Sequence, residues 1–190
     1  MNLTNYRLVL SLAALPMIAT IFAGCNLFDK ADNITFPSQI EVLWVVDEEA
    51  VATDAPYAYV KTVSLADDPE VEKYMNKLKN VEVEKITYRV EEYVAEGDAV
   101  MFKNGKAIFA TAGSAAVEAS FTASASGVNL QTSTSDTDLI IDTDELNELA
   151  SVLKTEKEID MNLTGILSKT PVSFKIVATF QLKVTAEVLD

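Results

Sequence analysis

From Ser38 onward the chain alternates apolar and polar residues with period two, the signature of strands that bury one face. The longest run covers residues 172–189. Val172, Phe174, Ile176, Ala178, Phe180, Leu182, Val184, Ala186 and Val188 share one side, and Ser173, Lys175, Thr179, Gln181, Lys183, Thr185 and Glu187 take the other. This predicts one very long strand, or two joined by a bend, whose inward row is the spine of the core. Ile40, Val42, Trp44 and Val46 form a second stripe, and Leu43 and Val45 make its opposite face apolar too, which predicts burial on both sides. Residues 57–65 alternate again. In 81–94, Val81 and Val83 lie on one face while Ile86, Tyr88, Val90 and Val94 lie on the other, a one-residue phase change that predicts a β-bulge near Glu84-Lys85.

Asn104-Gly105, between apolar-rich 99–103 and 106–110, has the composition of a type I′ hairpin turn and would set Phe102 opposite Ala107. The Ala/Ser-rich stretch 114–126 alternates at Val117, Ala119, Phe121 and Ala123, consistent with close sheet packing or with a thin edge. Two helices interrupt the strands. Asp68-Pro69 supplies an N-cap and a first-turn proline ahead of Val71, Tyr74, Met75 and Leu78. Asp142-Thr143-Asp144-Glu145 begins like a capping box, ahead of a stripe of Leu146, Leu149, Ala150 and Leu153. Each helix runs directly into a strand, which suggests two helix-strand units related by duplication. The fold class is mainly β: an antiparallel β-sandwich of about eight or nine strands with two short helices, since so few helices cannot cover a parallel sheet.

The first 24 residues are of a different kind. They hold no acid, and an apolar run over residues 8–22 follows Arg7. At about 15 residues it is shorter than the roughly 20 that span a bilayer, and Pro16 interrupts it, so it reads as a signal-peptide core. Next come Phe22-Ala23-Gly24-Cys25, with small residues at the two positions before the chain's only cysteine. This resembles the lipobox of bacterial lipoproteins. The resemblance implies cleavage between Gly24 and Cys25, a diacylglyceryl group on the Cys25 thiol, and acylation (palmitate or a similar chain) of its new amino group. It also implies a cell-envelope protein whose partner is the membrane, through acyl chains on Cys25. Asn26 does not carry the usual mark of inner-membrane retention, so the outer membrane is the expected destination. The helix-strand unit at 69–94 and the long C-terminal strand are similar in architecture to small bacterial lipoproteins with β-sandwich ectodomains.

The expected organisation is a signal peptide at 1–24, a lipidated cysteine and tether at 25–37, and a single β-sandwich domain at 38–190. Residues 26–37 end at Pro37 without sustained periodicity and would reach at most about 40 Å when extended. Asn33-Ile34-Thr35 and Asn162-Leu163-Thr164 match the glycosylation sequon, but beside a lipobox they are chance matches.

Composition narrows the function. The chain of 190 residues has 29 acidic and 15 basic side chains, a formal charge of −14, one cysteine and no histidine. Loss of residues 1–24 removes Arg7 and no acid, taking the charge from −14 to −15. Such a balance repels phosphate backbones and excludes nucleic acid as a natural partner. One cysteine and no histidine leave no disulfide framework, no Cys/His zinc site and no histidine-based triad. Neither a Gly-x-Ser-x-Gly elbow nor a glycine-rich phosphate loop occurs, and no cofactor motif is found.

Three groups of residues remain as candidate chemistry. Asp136, Asp138, Asp142 and Asp144 offer oxygen ligands for calcium, although Ile140 occupies an EF-hand ligand position and the mid-loop glycine is missing; strand ending and helix capping explain the same acids. Asp47-Glu48-Glu49, Asp67-Asp68 and Glu91-Glu92 are paired carboxylates of the kind glycosidases use, on a chain acidic enough to produce such pairs anywhere. Tyr57, Tyr59, Tyr88 and Tyr93 would suit a recognition platform or the rim of the core. The expectation is a lipid-anchored, non-enzymatic binding, scaffold or surface-structural module. The alternatives are a carrier of lipid or another apolar small molecule, motivated by Leu43, Val45 and the small residues of 114–126, and a carboxylate-based hydrolase.

Overall fold

The computed structural model describes residues 32–111 and 116–188. Seven antiparallel strands form one curled sheet: β1 (Asn33–Ser64), β2 (Leu78–Ala95), β3 (Met101–Ala110), β4 (Val117–Ser120), β5 (Val128–Asn129), β6 (Thr137–Asp138) and β7 (Glu158–Glu187). The helices are α1 (Pro69–Glu72) and α2 (Thr143–Glu156).

The architecture rests on a ribbon of two very long strands. β1 has 32 residues and β7 has 30, and they pair from Asn33 opposite Glu187 to Ser64 opposite Glu158. The far edge of β7 is divided. β2 pairs with its C-terminal half, where Tyr88 lies opposite Ala178, and β3 pairs with its N-terminal half, where Ala107 lies opposite Leu163. The two halves of the ribbon face each other. Phe109 of β3 meets Phe180 of β7 with ring centroids 5.8 Å apart, and Tyr88 of β2 meets Phe121, just after β4, at 4.6 Å. One continuous core results, with Trp44, Phe102, Phe109, Phe174 and Phe180 fully buried. This is the antiparallel β-sandwich that the alternation implies, made by folding one ribbon on itself.

Among the described residues the strand count is seven rather than eight or nine because apparent boundaries lie inside strands. The runs at 40–46 and 57–65 are both β1. Between Glu48, opposite Val172, and Ala52, opposite Thr170, the register slips, so that residues 49–51 face Pro171 alone. Even-numbered side chains point into the core before this bulge, Ala55, Tyr57 and Val63 are the ones that pack inward after it, and a phase break looks like a boundary in sequence. β1 also begins at Asn33, inside the segment expected to be tether. Ile34 and Phe36 continue the inward phase of Ile40 and Val42, and Phe36 packs on the Tyr74 ring at 5.7 Å.

Asn104-Gly105 is the clearest correction. The chain does not turn there: β3 runs straight through, and its register against β7 slips between Lys103 and Lys106. Asn104 adopts a φ of 51°, which its short polar side chain tolerates, and so takes the extra-residue position of a bulge. Phe102 lies opposite Leu167 and Val128, while Ala107 lies opposite Leu163 and Ala119. The same backbone tolerance serves a hairpin or a bulge, and long-range pairing with β7 decides. The bulge expected near Glu84-Lys85 is present, as a register shift between Val83 and Lys85 against β7.

Both helices start where their caps predict. The Asp68 side chain accepts the Glu70 N–H at 2.7 Å, with Pro69 at the first position of α1 and Val71 buried. Asp142 and Glu145 form the reciprocal capping box of α2, which buries Leu149, Ala150 and Leu153 and packs against β2. Among the described residues no helix is long and apolar enough to cross a membrane.

Candidate functional site

Gly24 and Cys25, the expected cleavage and lipid-attachment residues, lie outside the described residues. The four aspartates considered for calcium do not converge. Asp136 accepts from Arg89 Nη1 at 3.4 Å, Asp138 pairs with Lys85 at 3.3 Å, Asp142 caps α2, and Asp144 sits in the first turn of that helix. Among the described residues no three or more acids or thiols are placed to hold a metal ion. Basic neighbours engage Asp136 and Asp138, and the start of α2 engages Asp142.

The acids of Asp67-Asp68 and of Glu91-Glu92 are engaged one by one. Asp67 accepts the Ser64 N–H at 3.2 Å. Asp68 accepts the Ser38 hydroxyl at 2.5 Å. Burial would raise the Asp68 pKa, but hydrogen bonds from Ser38 and from the Glu70, Gln39 and Val71 backbones outweigh it and hold the carboxyl below its ordinary value. Glu91 binds Arg89 Nε at 2.7 Å, and Glu92 binds Lys175 at 2.5 Å. Asp47, Glu48 and Glu49 border a shallow hollow with Val94 and Pro171 beside the ribbon bulge.

The tyrosines divide between core and surface rather than forming a platform. Tyr88 is buried and donates to the Phe121 carbonyl at 3.1 Å, while Tyr93 accepts the Val100 N–H at 2.9 Å. Tyr57 is buried edge-on to Phe102, and Tyr59 is exposed. Among the described residues the Tyr57 hydroxyl has no hydrogen-bond partner. Burial, with the charges of Glu48 and Tyr59, pushes its pKa up to about 12. Because the folded-state value lies above the unfolded one of about 10, stability is intact below that pH and is lost as pH rises through the folded value. Tyr57→Phe is expected to remove that alkaline loss and, by deleting an unpartnered buried hydroxyl, to raise neutral-pH stability by about 1 kcal/mol. Urea titrations at pH 7 and pH 11 check this; a variant less stable than the parent at both would contradict it.

What the structure does bring together lies on the outer face of the β1–β7–β2 layer and along its rim. Arg89 on β2 reaches three carboxylates: Glu91 at 2.7 Å, Glu41 of β1 at 3.3 Å, and Asp136. The hydrogen bond with Glu91 raises the guanidinium pKa above its ordinary value; burial opposes this, and Asp136 and Glu41 add to the rise. Beside this cluster Leu43 and Val45 are 42% and 59% exposed, so the expectation that both faces of this stripe are buried is overturned. Only the face carrying Ile40, Val42, Trp44 and Val46 packs inward.

Among the described residues the outer rim of β1 is an open sheet edge. Successive residues of an antiparallel strand direct their N–H and C=O alternately toward and away from the partner. The Val188 N–H donates to the Asp32 carbonyl at 3.2 Å, so the even-numbered residues of this half of β1 bond β7. Glu41, Leu43, Val45 and Asp47 therefore direct their backbone groups outward. Gln39 shares that phase, and its outward N–H faces the Asp68 carboxylate, whose charged form it favours. Among the described residues β1 pairs with β7 alone, which leaves the edge open from Glu41 to Asp47. Pro37 falls in the same outward phase. In the second half the Leu65 N–H donates to the Lys157 carbonyl at 2.8 Å, which places Pro56 outward as well. Both prolines sit where the missing N–H costs no ladder bond. They were the available sequence signal for this edge, and period-two reading alone passed over them.

The features that suggested a carrier lie apart: Leu43 and Val45 are on the outer face, whereas Val117, Ala119 and Phe121 are buried in the core and Ala123 is exposed. No protein-family model matches the chain, and no curated protein matches it. Among solved structures the chain is similar to the decameric BFDV capsid protein, at 7% identity and a TM-score of 0.42, over 80% of this chain and 98% of that one. It is also similar to desmodium yellow mottle tymovirus, at 12% identity and a TM-score of 0.39, over 83% of this chain and 89% of that one.

Proposed function

We propose that the protein is a lipid-anchored component of a bacterial cell envelope, on the outer membrane, whose acidic β-sandwich acts as a non-enzymatic binding or scaffolding module. The observation that carries this reading is Ala23-Gly24-Cys25 directly after a short apolar run, with no other cysteine in the chain. A thiol at that place is the nucleophile that lipoprotein processing consumes. Two or more acyl chains hold a protein durably at a membrane, because each buried methylene contributes about 0.8 kcal/mol. The binding role draws support from the open rim of β1, which offers backbone hydrogen bonds and apolar contact rather than a nucleophile paired with a base. A carrier role would need the apolar features of 43–45 and 114–126 to line one cavity, and a hydrolase would need two converging acids in an enclosed cleft, whereas Asp47, Glu48 and Glu49 border a shallow, open hollow.

In cells fed a tagged fatty acid, the parent chain is expected to take up the tag and sediment with membranes. Cys25→Ser is expected to lose the tag completely and leave the mature membrane pool. Equal labelling of the two chains would overturn the proposal.

A further inference from the structure

We propose that the β1 edge from Glu41 to Asp47 takes an extended peptide segment as an added strand, and that the segment has the pattern basic-x-apolar-x-apolar-x-basic. The inference rests on the binding-module reading above and is independent of the lipid anchor. Strand addition requires a run of outward backbone donors and acceptors, and this edge supplies them at Glu41, Leu43, Val45 and Asp47. The run is bounded. Asp68, bonded to Ser38, stands beside the Gln39 N–H at one end, and the ribbon bulge after Glu48 ends the regular strand at the other.

The side chains specify the occupant. Residues directly opposite across a ladder share a face, so the new strand's alternate residues would meet Glu41, Leu43, Val45 and Asp47 on the outer face. Two exposed apolar side chains call for apolar partners. Exposed carboxylates at both ends, Asp47 and the Glu41 oxygen that Arg89 does not engage, call for lysine or arginine. The intervening residues would lie alongside Val42, Trp44 and Val46, whose own side chains are buried. A second copy of this chain fits poorly. Antiparallel pairing about Trp44 matches Leu43 with Val45 but sets Glu41 against Asp47 twice, and like charges directly opposite oppose pairing. Shifting the register by two residues either way runs into Asp68 beside Gln39 or into the bulge.

The test uses the full chain purified in detergent, with the peptides KTVTVTK and ETVTVTE carrying a fluorescent label. KTVTVTK is expected to bind saturably and at least roughly tenfold tighter than ETVTVTE, and to slow amide exchange at Leu43 and Val45. Val45→Pro removes one outward N–H and leaves the β7 ladder intact, as Pro37 and Pro56 do. It is expected to keep the parent's melting midpoint and lose KTVTVTK binding. Asp47→Lys should weaken KTVTVTK and strengthen ETVTVTE. Equal binding of the two peptides, unchanged binding by Val45→Pro, or a peptide-free dimer with protected β1 amides would each overturn the inference. Failure here with fatty-acid labelling intact leaves the anchored module standing; loss of labelling with peptide binding intact does the reverse.

Discussion

Replacing Phe102 by alanine is expected to lower the stability of the sandwich by about 4 kcal/mol, within the range for emptying a buried aromatic site. The ring is 1% exposed and meets two others edge-on, Tyr57 at 6.4 Å and Phe121 at 5.6 Å. Its faces and rim are bounded by glycines. A Cβ on Gly165 would come within 2.3 Å of the ring, and one on Gly105 within 2.6 Å. The ring thus fills a space that two strands leave by carrying no side chain, and those glycines have nothing to collapse into the hole. Gly165→Ala is expected to destabilise for the complementary reason, by forcing the ring off its site. Because Phe102→Leu withdraws atoms from the same space, the double variant Phe102→Leu/Gly165→Ala should lose less than the sum of its parts. Urea unfolding measures all of these; a loss below about 1.5 kcal/mol for Phe102→Ala would show that the cluster is not packed as described.

Gly127→Ala is expected to cost about 3 kcal/mol, combining backbone strain with overpacking. Gly127 has a φ of +85°, and an added Cβ would lie 2.3 Å from the Phe102 carbonyl oxygen and 2.8 Å from the Lys103 Cα. These are main-chain atoms of β3, held by pairing with β7, and they cannot rotate away. Gly97 provides the comparison within the same molecule. Its φ is +71°, but the nearest atom to an added Cβ is the flexible Lys169 Nζ, 3.6 Å away. Gly97→Ala is therefore expected to cost only about 1 kcal/mol, the conformational part alone. Equal losses for the two variants would contradict the close approach of Gly127 to β3.

Local signals in the sequence located the features that depend on near neighbours. Period-two alternation at 172–189 and 40–46 marks strands that share one core, and the Asp142/Glu145 box marks the start of α2 to the residue. The phase change at 83–85 marks a bulge because it records which face is buried on each side of it. Errors arose where a distant partner decides. Asn104-Gly105 supports a hairpin or a bulge equally well, and pairing of β3 with β7 selects the bulge. Leu43 and Val45 look doubly buried because apolar side chains do not reveal whether a second layer exists to cover them. The acids at 136–144 look like ligands until Arg89 and Lys85, far away in sequence, are placed beside two of them. The open edge was legible only through Pro37 and Pro56, and reading them requires knowing which neighbour β1 has.

Anchoring through Cys25 is tested most directly by the intact mass of the mature protein extracted from membranes, together with its amino-terminal peptide. The expected result is a chain that begins at Cys25 and carries a diacylglyceryl group with an additional acyl chain on the amino group. A chain that retains residues 1–24, or one with an unmodified Cys25 thiol, would contradict it.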